Sequence, residues 1–281
     1  MKYAFFGTPE FAAIILKGLI EAGMPPVAVV CNPDKPFGRK KLITPPLTKQ
    51  IAQEHNITIF QPSTKKDLLA LSPSITQNVD FAVVAAYAKI IPQEIIDSFK
   101  LGIMGVHPSL LPKFRGPSPI QSAILSGEIK TGTTLFMLCK GVDDGAILSQ
   151  GEISIDNKNY EDLVKDLGKL SLELLIKTLP DFSAGNIKAT PQDDSLATFT
   201  TFFERDAGLV REDDLRDALG GDEAKSLKIW RMARALNPEP GVYTFMNDKR
   251  TKLLSASLND SKLILEKIQK EGKTPEVFTQ T

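Results

Sequence analysis

The chain has little cysteine, little histidine and no net charge. Cys31 and Cys139 are its only cysteines, too few and too far apart for a disulfide framework or a zinc knuckle. Two buried free thiols in a reducing cytoplasm are therefore expected. Acidic and basic residues number 34 each, so a polyanion has to be held by a local basic patch and not by the field of the whole molecule. The first apolar run, Tyr3 to Phe6, is far shorter than a signal or membrane segment. No internal repeat or low-complexity tract interrupts the sequence. What remains is an ordinary globular composition, 42% hydrophobic and 24% charged, over 281 residues, which suits one large and one small domain.

Periodicity supplies the order of elements. Tyr3 to Phe6 reads as a buried strand and Gly7-Thr8-Pro9 as a tight turn. Glu10 to Glu21 reads as a helix with apolar residues at Phe11, Ile14, Ile15, Leu19 and Ile20. Pro26 to Cys31 is the next apolar run, so the chain opens as a β-α-β unit. The alternation continues with a helix from Thr48 to His55, strands at Thr58 to Phe60 and Val79 to Ala86, a helix from Gln93 to Phe99 and a strand from Gly102 to Val106. This is the pattern of an α/β, Rossmann-like, mostly parallel sheet covered by helices, in which ligands sit beyond the carboxyl ends of the strands. Thr133 to Leu138 and Ala146 to Ile155 read as later strands, and Tyr160 to Leu179 as a long amphipathic helix. Gly, Pro, Asn and Asp then accumulate, a linker signature. The expected division is a first domain over 1–182, a linker over 183–200 and a small β-rich domain over 201–281. The last contains a helix from Lys225 to Leu236 and strands at Gly241 to Phe245, Thr251 to Ser255 and Lys262 to Glu266.

With two histidines in the chain, candidates for proton transfer are few. His55 falls at a helix C-terminus, where a solvated imidazole is favoured. His107 leaves a buried strand and enters a loop stiffened by Pro108, Pro112, Pro117 and Pro119, a rigid mount for a side chain aimed at a crevice. It serves catalysis or ties down the loop; its position allows both. Asp143 and Asp144 lie in a turn, Gly141-Val142-Asp143-Asp144-Gly145, where acids cap local amides or stay solvated. A carboxylate set beside an imidazole instead fixes its tautomer and favours its protonated form, as a proton acceptor requires. The linear sequence leaves open whether the two meet.

Longer strings carry a resemblance. Phe6-Gly7-Thr8-Pro9-Glu10-Phe11, Val84-Ala85-Ala86-Tyr87, His107-Pro108-Ser109-Leu110-Leu111-Pro112, Arg115-Gly116-Pro117-Ser118-Pro119-Ile120-Gln121 and Gly141-Val142-Asp143-Asp144-Gly145 together resemble the methionyl-tRNA formyltransferases. The likeness extends to Leu236-Asn237-Pro238-Glu239-Pro240-Gly241-Val242-Tyr243-Thr244-Phe245. The His-Pro-Ser-Leu-Leu-Pro string marks the wider group of enzymes that use 10-formyltetrahydrofolate, and the others are narrower. The resemblance implies a Rossmann-like formyltransferase domain followed by a small OB-like β-barrel that binds tRNA. It implies transfer of the formyl group of 10-formyltetrahydrofolate to the α-amine of methionyl initiator tRNA, without a metal; the cytoplasm is expected from the free thiols and the N-terminal run, and a monomer is expected. His107 would accept the proton and Asp143 would be its partner. Ala86, Tyr87, Ile91, Ser109, Leu110, Leu111 and Pro112 would hold the folate through apolar walls and free backbone amides, and Arg39, Lys40 and Lys41 would meet the tRNA.

One position departs from the resemblance. The family has asparagine two residues before the histidine, where its amide polarises the formyl oxygen, and this chain has Gly105. Loss of such a donor typically costs about 100- to 1,000-fold in turnover unless it is replaced. A water in the space left by glycine, the backbone or another side chain are the candidate replacements. The alternatives to be weighed are a formyltransferase for another amine, a formyl-folate hydrolase and a weakly active or non-catalytic binding homologue. The basic run from Lys35 to Lys49, with Lys35, Arg39, Lys40, Lys41 and Lys49 and no acid, favours a nucleic-acid substrate. Two further groups, Lys228 with Arg231 and Arg234, and Lys249 with Arg250 and Lys252, suit a tRNA backbone or an ordinary charged surface.

Overall fold

The computed structural model describes residues 1–38, 41–246 and 248–278. They form two compact units, the first of residues 1–117, 131–153 and 164–199, the second of residues 118–130, 154–163 and 200 onward. In chain order the elements are β1 (Tyr3–Gly7), α1 (Glu10–Glu21), β2 (Ala28–Val30), β3 (Lys35–Phe37), β4 (Leu42–Thr44), α2 (Leu47–Glu54), β5 (Thr58–Phe60), α3 (Lys65–Thr76), β6 (Phe81–Ala85), α4 (Gln93–Ile96) and β7 (Ile103–His107). There follow α5 (Pro119–Ser126), β8 (Lys130–Met137), β9 (Ile147–Ser154), α6 (Tyr160–Ser183), α7 (Glu212–Gly220), α8 (Glu223–Leu236), β10 (Tyr243–Met246), β11 (Lys249–Asn259), β12 (Lys262–Lys270) and β13 (Glu276–Val277).

The first unit is organised by a seven-stranded sheet in the order β5-β2-β1-β6-β7-β8-β9. The strands from β5 to β7 pair in parallel, and β8 runs antiparallel to β7. Every residue of β1 and β7 is buried, as continuous apolar strands covered on both faces must be. From β1 the chain moves outward to β2 and β5, then returns to the other side of β1 for β6 and β7. The reversal puts a crevice at the carboxyl ends of β1 and β6, where open α/β sheets bind ligands. His107 ends β7 on that same rim. On one face Phe6, Tyr87, Ile91, Ile95, Phe99 and Ile103 form a continuous core, with Phe6 edge-on to both Tyr87 and Phe99.

The basic run after β2 is a hairpin of β3 and β4, with Lys35 opposite Thr44 and Phe37 opposite Leu42. Its base is clamped: Lys49 donates to both carboxylate oxygens of Asp34 at 2.9 and 2.8 Å, and Gln61 donates to one of them at 2.8 Å. Lys49, counted in the basic run, is therefore an anchor of the hairpin. Hydrogen bonds from Gln61 and Lys49 hold the Asp34 carboxyl below its usual range. Lys41 lies exposed in the turn; Arg39 and Lys40 lie outside the described residues.

In the second unit, β10, β11, β12 and β13 form a four-stranded antiparallel sheet in chain order, and α8 packs against β11 and β12. The buried face of α8 includes Ile229, Met232 and Leu236, and the sheet contributes Leu253, Leu263, Leu265 and Ile268. Arg234 does not join an exposed basic stripe. Only 8% exposed, it donates to the Asp156 and Lys158 carbonyls at 2.6 to 3.0 Å and stacks over Trp230 at 4.2 Å. Lys228 stays exposed, as do Lys249, Arg250 and Lys252. Among the described residues no helix is long and apolar enough to cross a membrane.

Candidate active site

The antiparallel register of β7 with β8 places Gly105 opposite Phe136 and His107 opposite Thr134. Thr134 is completely buried. Its hydroxyl donates to the Ser109 carbonyl at 2.7 Å and accepts from the Leu111 amide at 3.1 Å and from Gln150 Nε2 at 2.8 Å. The loop after His107 is thus tied to the sheet from below. Gln150 adds a bond of 2.8 Å to the Leu111 carbonyl.

His107 is 6% exposed. Its Nε2 lies 2.8 Å from the Phe114 carbonyl; a carbonyl only accepts, so this nitrogen carries a proton. Its Nδ1 lies 3.5 Å from Asp143 Oδ2, and the same carboxylate oxygen accepts the Gly116 amide at 2.8 Å. The expected pair therefore comes together although 36 positions separate its members, 143 minus 107. Both ring nitrogens face oxygen acceptors. Asp143 and Phe114 both adopt left-handed backbone, with φ of 51° and 60°, a conformation that non-glycine residues hold only where neighbours enforce it. Asp144 points elsewhere, accepting from the Cys139 thiol. Cys139 is half-buried and not buried as expected. Cys31 is fully buried, which pushes its thiol up to about 11.

The residues from 192 to 199, expected as part of a linker, lie across this loop. Thr198 Oγ1 accepts the Phe114 amide at 2.8 Å and the Thr198 carbonyl accepts the Arg115 amide at 2.9 Å. Gln192 Oε1 accepts from Arg115 Nε and Nη2 at 3.1 and 2.8 Å, while Gln192 Nε2 donates to the Asp143 and Gly145 carbonyls at 2.8 and 2.7 Å. Arg115, 4% exposed, also meets Asp194 at 2.7 Å. Sequence reasoning missed Gln192 and Arg115 as parts of the site. An arginine within the Gly- and Pro-rich loop was the available signal, and polar composition hid its partner.

The residues expected to hold folate divide into two groups. Ala86 is exposed with φ of 48°, directly after β6, and Leu110 and Pro112 are half-buried. Tyr87 and Ile91 belong to the core, and Ser109 and Leu111 are buried in the loop. Burial pushes the Tyr87 phenol up to about 12, so it offers no competing base near neutrality. The amides of Ser109 and Leu111 are already engaged, by the His107 carbonyl and the Thr134 hydroxyl. The expectation of free amides at these two positions is corrected accordingly.

Gly105 has an explanation in packing. A Cβ there would come within 2.3 Å of Phe136 Cε1 and 2.6 Å of its Cζ. Phe136 is 2% exposed and meets His107 edge-on at 6.5 Å. The ring occupies the space of a side chain at position 105, so the idea of a water replacing the amide in a space left by glycine is withdrawn. Gly145 is required for a related reason: a Cβ there would lie 1.7 Å from the Met137 carbonyl.

With this geometry in view, the comparisons are specific. The Formyl transferase profile matches residues 1–179 and the Formyl transferase C-terminal domain profile matches residues 223–274. A methionyl-tRNA formyltransferase of Staphylococcus epidermidis is 41% identical over 256 residues, covering 91% of this chain and 79% of the relative. The chain belongs to the methionyl-tRNA formyltransferase family. The fold agrees with solved structures of methionyl-tRNA formyltransferase from Clostridium thermocellum (TM-score 0.61, 19% identity, 96% of this chain and 98% of the other). It also agrees with HypX from Aquifex aeolicus in complex with tetrahydrofolic acid (TM-score 0.64, 17% identity, 91% and 38%). As a formyltransferase family member this chain is a formyl-transferring enzyme, and its departure at Gly105 becomes a question of packing within a known reaction.

Position 105 and the Phe136 ring should therefore be coupled. Gly105→Ala is expected to lower the unfolding free energy by about 1–3 kcal/mol through overpacking. In urea denaturation the Gly105→Ala, Phe136→Leu double variant should lose less than the sum of the two single losses. Strictly additive losses would contradict the coupling.

Proposed function

We propose that this protein transfers the formyl group of 10-formyltetrahydrofolate to the α-amine of methionyl initiator tRNA, in the cytoplasm, before the initiation of protein synthesis. The observation that carries the reading is the His107–Asp143 pair, 3.5 Å apart at the carboxyl end of β7, inside a chain of this family. The folate supplies the formyl group as electrophile. The protein's own residues supply position and proton transfer.

In this reading the attacking amine must shed a proton as its bond to the formyl carbon forms, and His107 accepts it. Nε2 is engaged by the Phe114 carbonyl at 2.8 Å in the resting site. Acceptance at that nitrogen requires the other tautomer, with the ring proton on Nδ1 toward Asp143 and the amine in place of the Phe114 carbonyl. Such tightening on substrate binding is ordinary for catalytic hydrogen bonds. Asp143 faces Nδ1 and stabilises the ring once it is charged. His107 is buried and Asp143 half-buried, which strengthens that attraction over its value in water. Ala86, Leu110 and Pro112 offer accessible apolar surface for the folate. Tyr87, Ile91, Ser109 and Leu111 act from beneath, by shaping the loop and the core under it.

The acceptor is assigned from charge. The β3–β4 hairpin carries Lys35 and Lys41 beside Arg39 and Lys40 in sequence, and we assign Arg39 as the principal tRNA contact with its neighbours in support. The first unit carries the chemistry, while exposed Lys228, Lys249, Arg250 and Lys252 of the second meet the tRNA backbone. A monomer suffices for both roles.

Purified protein given 10-formyltetrahydrofolate should yield formyl-methionine with charged initiator tRNA and no formate in water alone. Formate without tRNA would place the activity among hydrolases, and no product with retained folate binding would overturn the enzymatic reading. Arg39→Ala should raise the KM for tRNA about 10-fold, the equivalent of ~1.4 kcal/mol, and steady-state kinetics should show an unchanged KM for folate. An unchanged tRNA dependence would contradict the assignment of Arg39.

A further inference from the structure

We propose that Gln192 is a positioning residue for the reaction, acting through Asp143. The inference rests on the reading of His107 and Asp143 given above. Asp143 is a member of a closed ring of bonds. Its Oδ2 accepts the Gly116 amide; Gly116 follows Arg115 in the chain; the Arg115 guanidinium donates twice to Gln192 Oε1; and Gln192 Nε2 returns to the Asp143 carbonyl. Side chain and main chain of Asp143 are thereby held from two directions. A second bond from Nε2, to the Gly145 carbonyl, fixes the far end of the turn.

The ring answers a specific physical need. Asp143 sits at φ of 51°, a left-handed conformation that costs a non-glycine residue free energy and persists only when surroundings over-determine it. If the turn relaxed, the carboxylate would swing away from His107 Nδ1. Gln192 prevents that with Nε2 donating at one end and Oε1 accepting at the other, two roles that a side-chain amide supplies together. Glutamate would set a carboxylate oxygen against two carbonyl oxygens. A hydrocarbon would leave a buried guanidinium and two carbonyls with lost partners.

The same strap holds the other side of the imidazole. Thr198 binds the amides of Phe114 and Arg115, and Phe114 supplies the carbonyl at His107 Nε2. Both acceptors that face the ring are therefore set by residues 192–198, which reach the site about 50 positions after Asp143. The segment after α6 is an extension of the active site as well as a connection.

A double-mutant cycle separates this role from plain stability. Unaltered protein, Gln192→Glu, Asp143→Asn and the double variant are compared for kcat, both KM values and melting temperature. Gln192→Glu is expected to lower kcat by about 10- to 100-fold, as misplacement of a reacting group does, with both KM values held within about 2-fold. In the Asp143→Asn background the same substitution should change kcat by less than about 3-fold, since the partner it positions is already disabled. Equal fold-losses in both backgrounds would overturn the inference, as would an unchanged kcat. If Gln192→Glu fails to fold, Gln192→Met carries the same cycle. Absence of formyl transfer by the unaltered protein would overturn the underlying reading and the inference with it, whereas activity with additive losses sinks the inference alone.

Discussion

The site depends on one contact made across the end of the sheet, where Asp143 Oδ2 meets His107 Nδ1 at 3.5 Å. Neither residue is placed by its own local preference. His107 is held because β7 is fully buried and in register with both β6 and β8. Asp143 is held because Gly145 can pack against the Met137 carbonyl and because the Gly116 amide captures the carboxylate. Each support belongs to a different stretch of chain, so the pair exists only once the first unit has folded. That dependence also explains the left-handed turn at Asp143: strain is tolerated where packing and hydrogen bonds leave no alternative.

Gly105 illustrates how packing can override a polar expectation. The resemblance implied an asparagine amide at this position, and here the Phe136 ring fills the space that a side chain would take. Burying the ring contributes about 1.5–3 kcal/mol of apolar stabilisation, while the amide would need a hydrogen-bond partner whenever substrate is absent. The packing at Gly105 favours stability of the resting site. Phe136 also stands edge-on to His107, so the residue that fills the gap borders the imidazole of the proposed mechanism.

Much of the first unit was legible because a parallel, doubly covered sheet writes itself as continuous apolar runs. The helix from Glu10 to Glu21 and the strand from Thr58 to Phe60 were read with the bounds observed. Other elements were hidden by local punctuation. α3 contains Pro73, which masks its pattern, although Thr64 and Asp67 make a capping box at its start. α5 begins at Pro119, in a proline-rich stretch that reads as loop. α7 opens with Glu212, Asp213 and Asp214, acids suited to a helix N-terminus but easily taken for a solvated turn. For the site, the strand-end position of His107 and the family resemblance singled out His107 and Asp143. They did not reveal Gln192, because a polar residue in a polar segment carries no signal until its partners are known. Arg234 misled for the converse reason: cationic spacing cannot show that a guanidinium is buried over Trp230 and spent on two carbonyls.

In the proposed mechanism His107 is the group that takes the proton. Its most direct test is the single-turnover rate of formyl transfer by His107→Ala, measured alongside equilibrium binding of the formyl donor. The rate should fall by about 100- to 10,000-fold, the usual worth of a positioned acid–base group, with donor affinity changed by less than about 3-fold. A variant that keeps more than about a tenth of the original rate would contradict it, because general-base catalysis of that size cannot survive removal of the base.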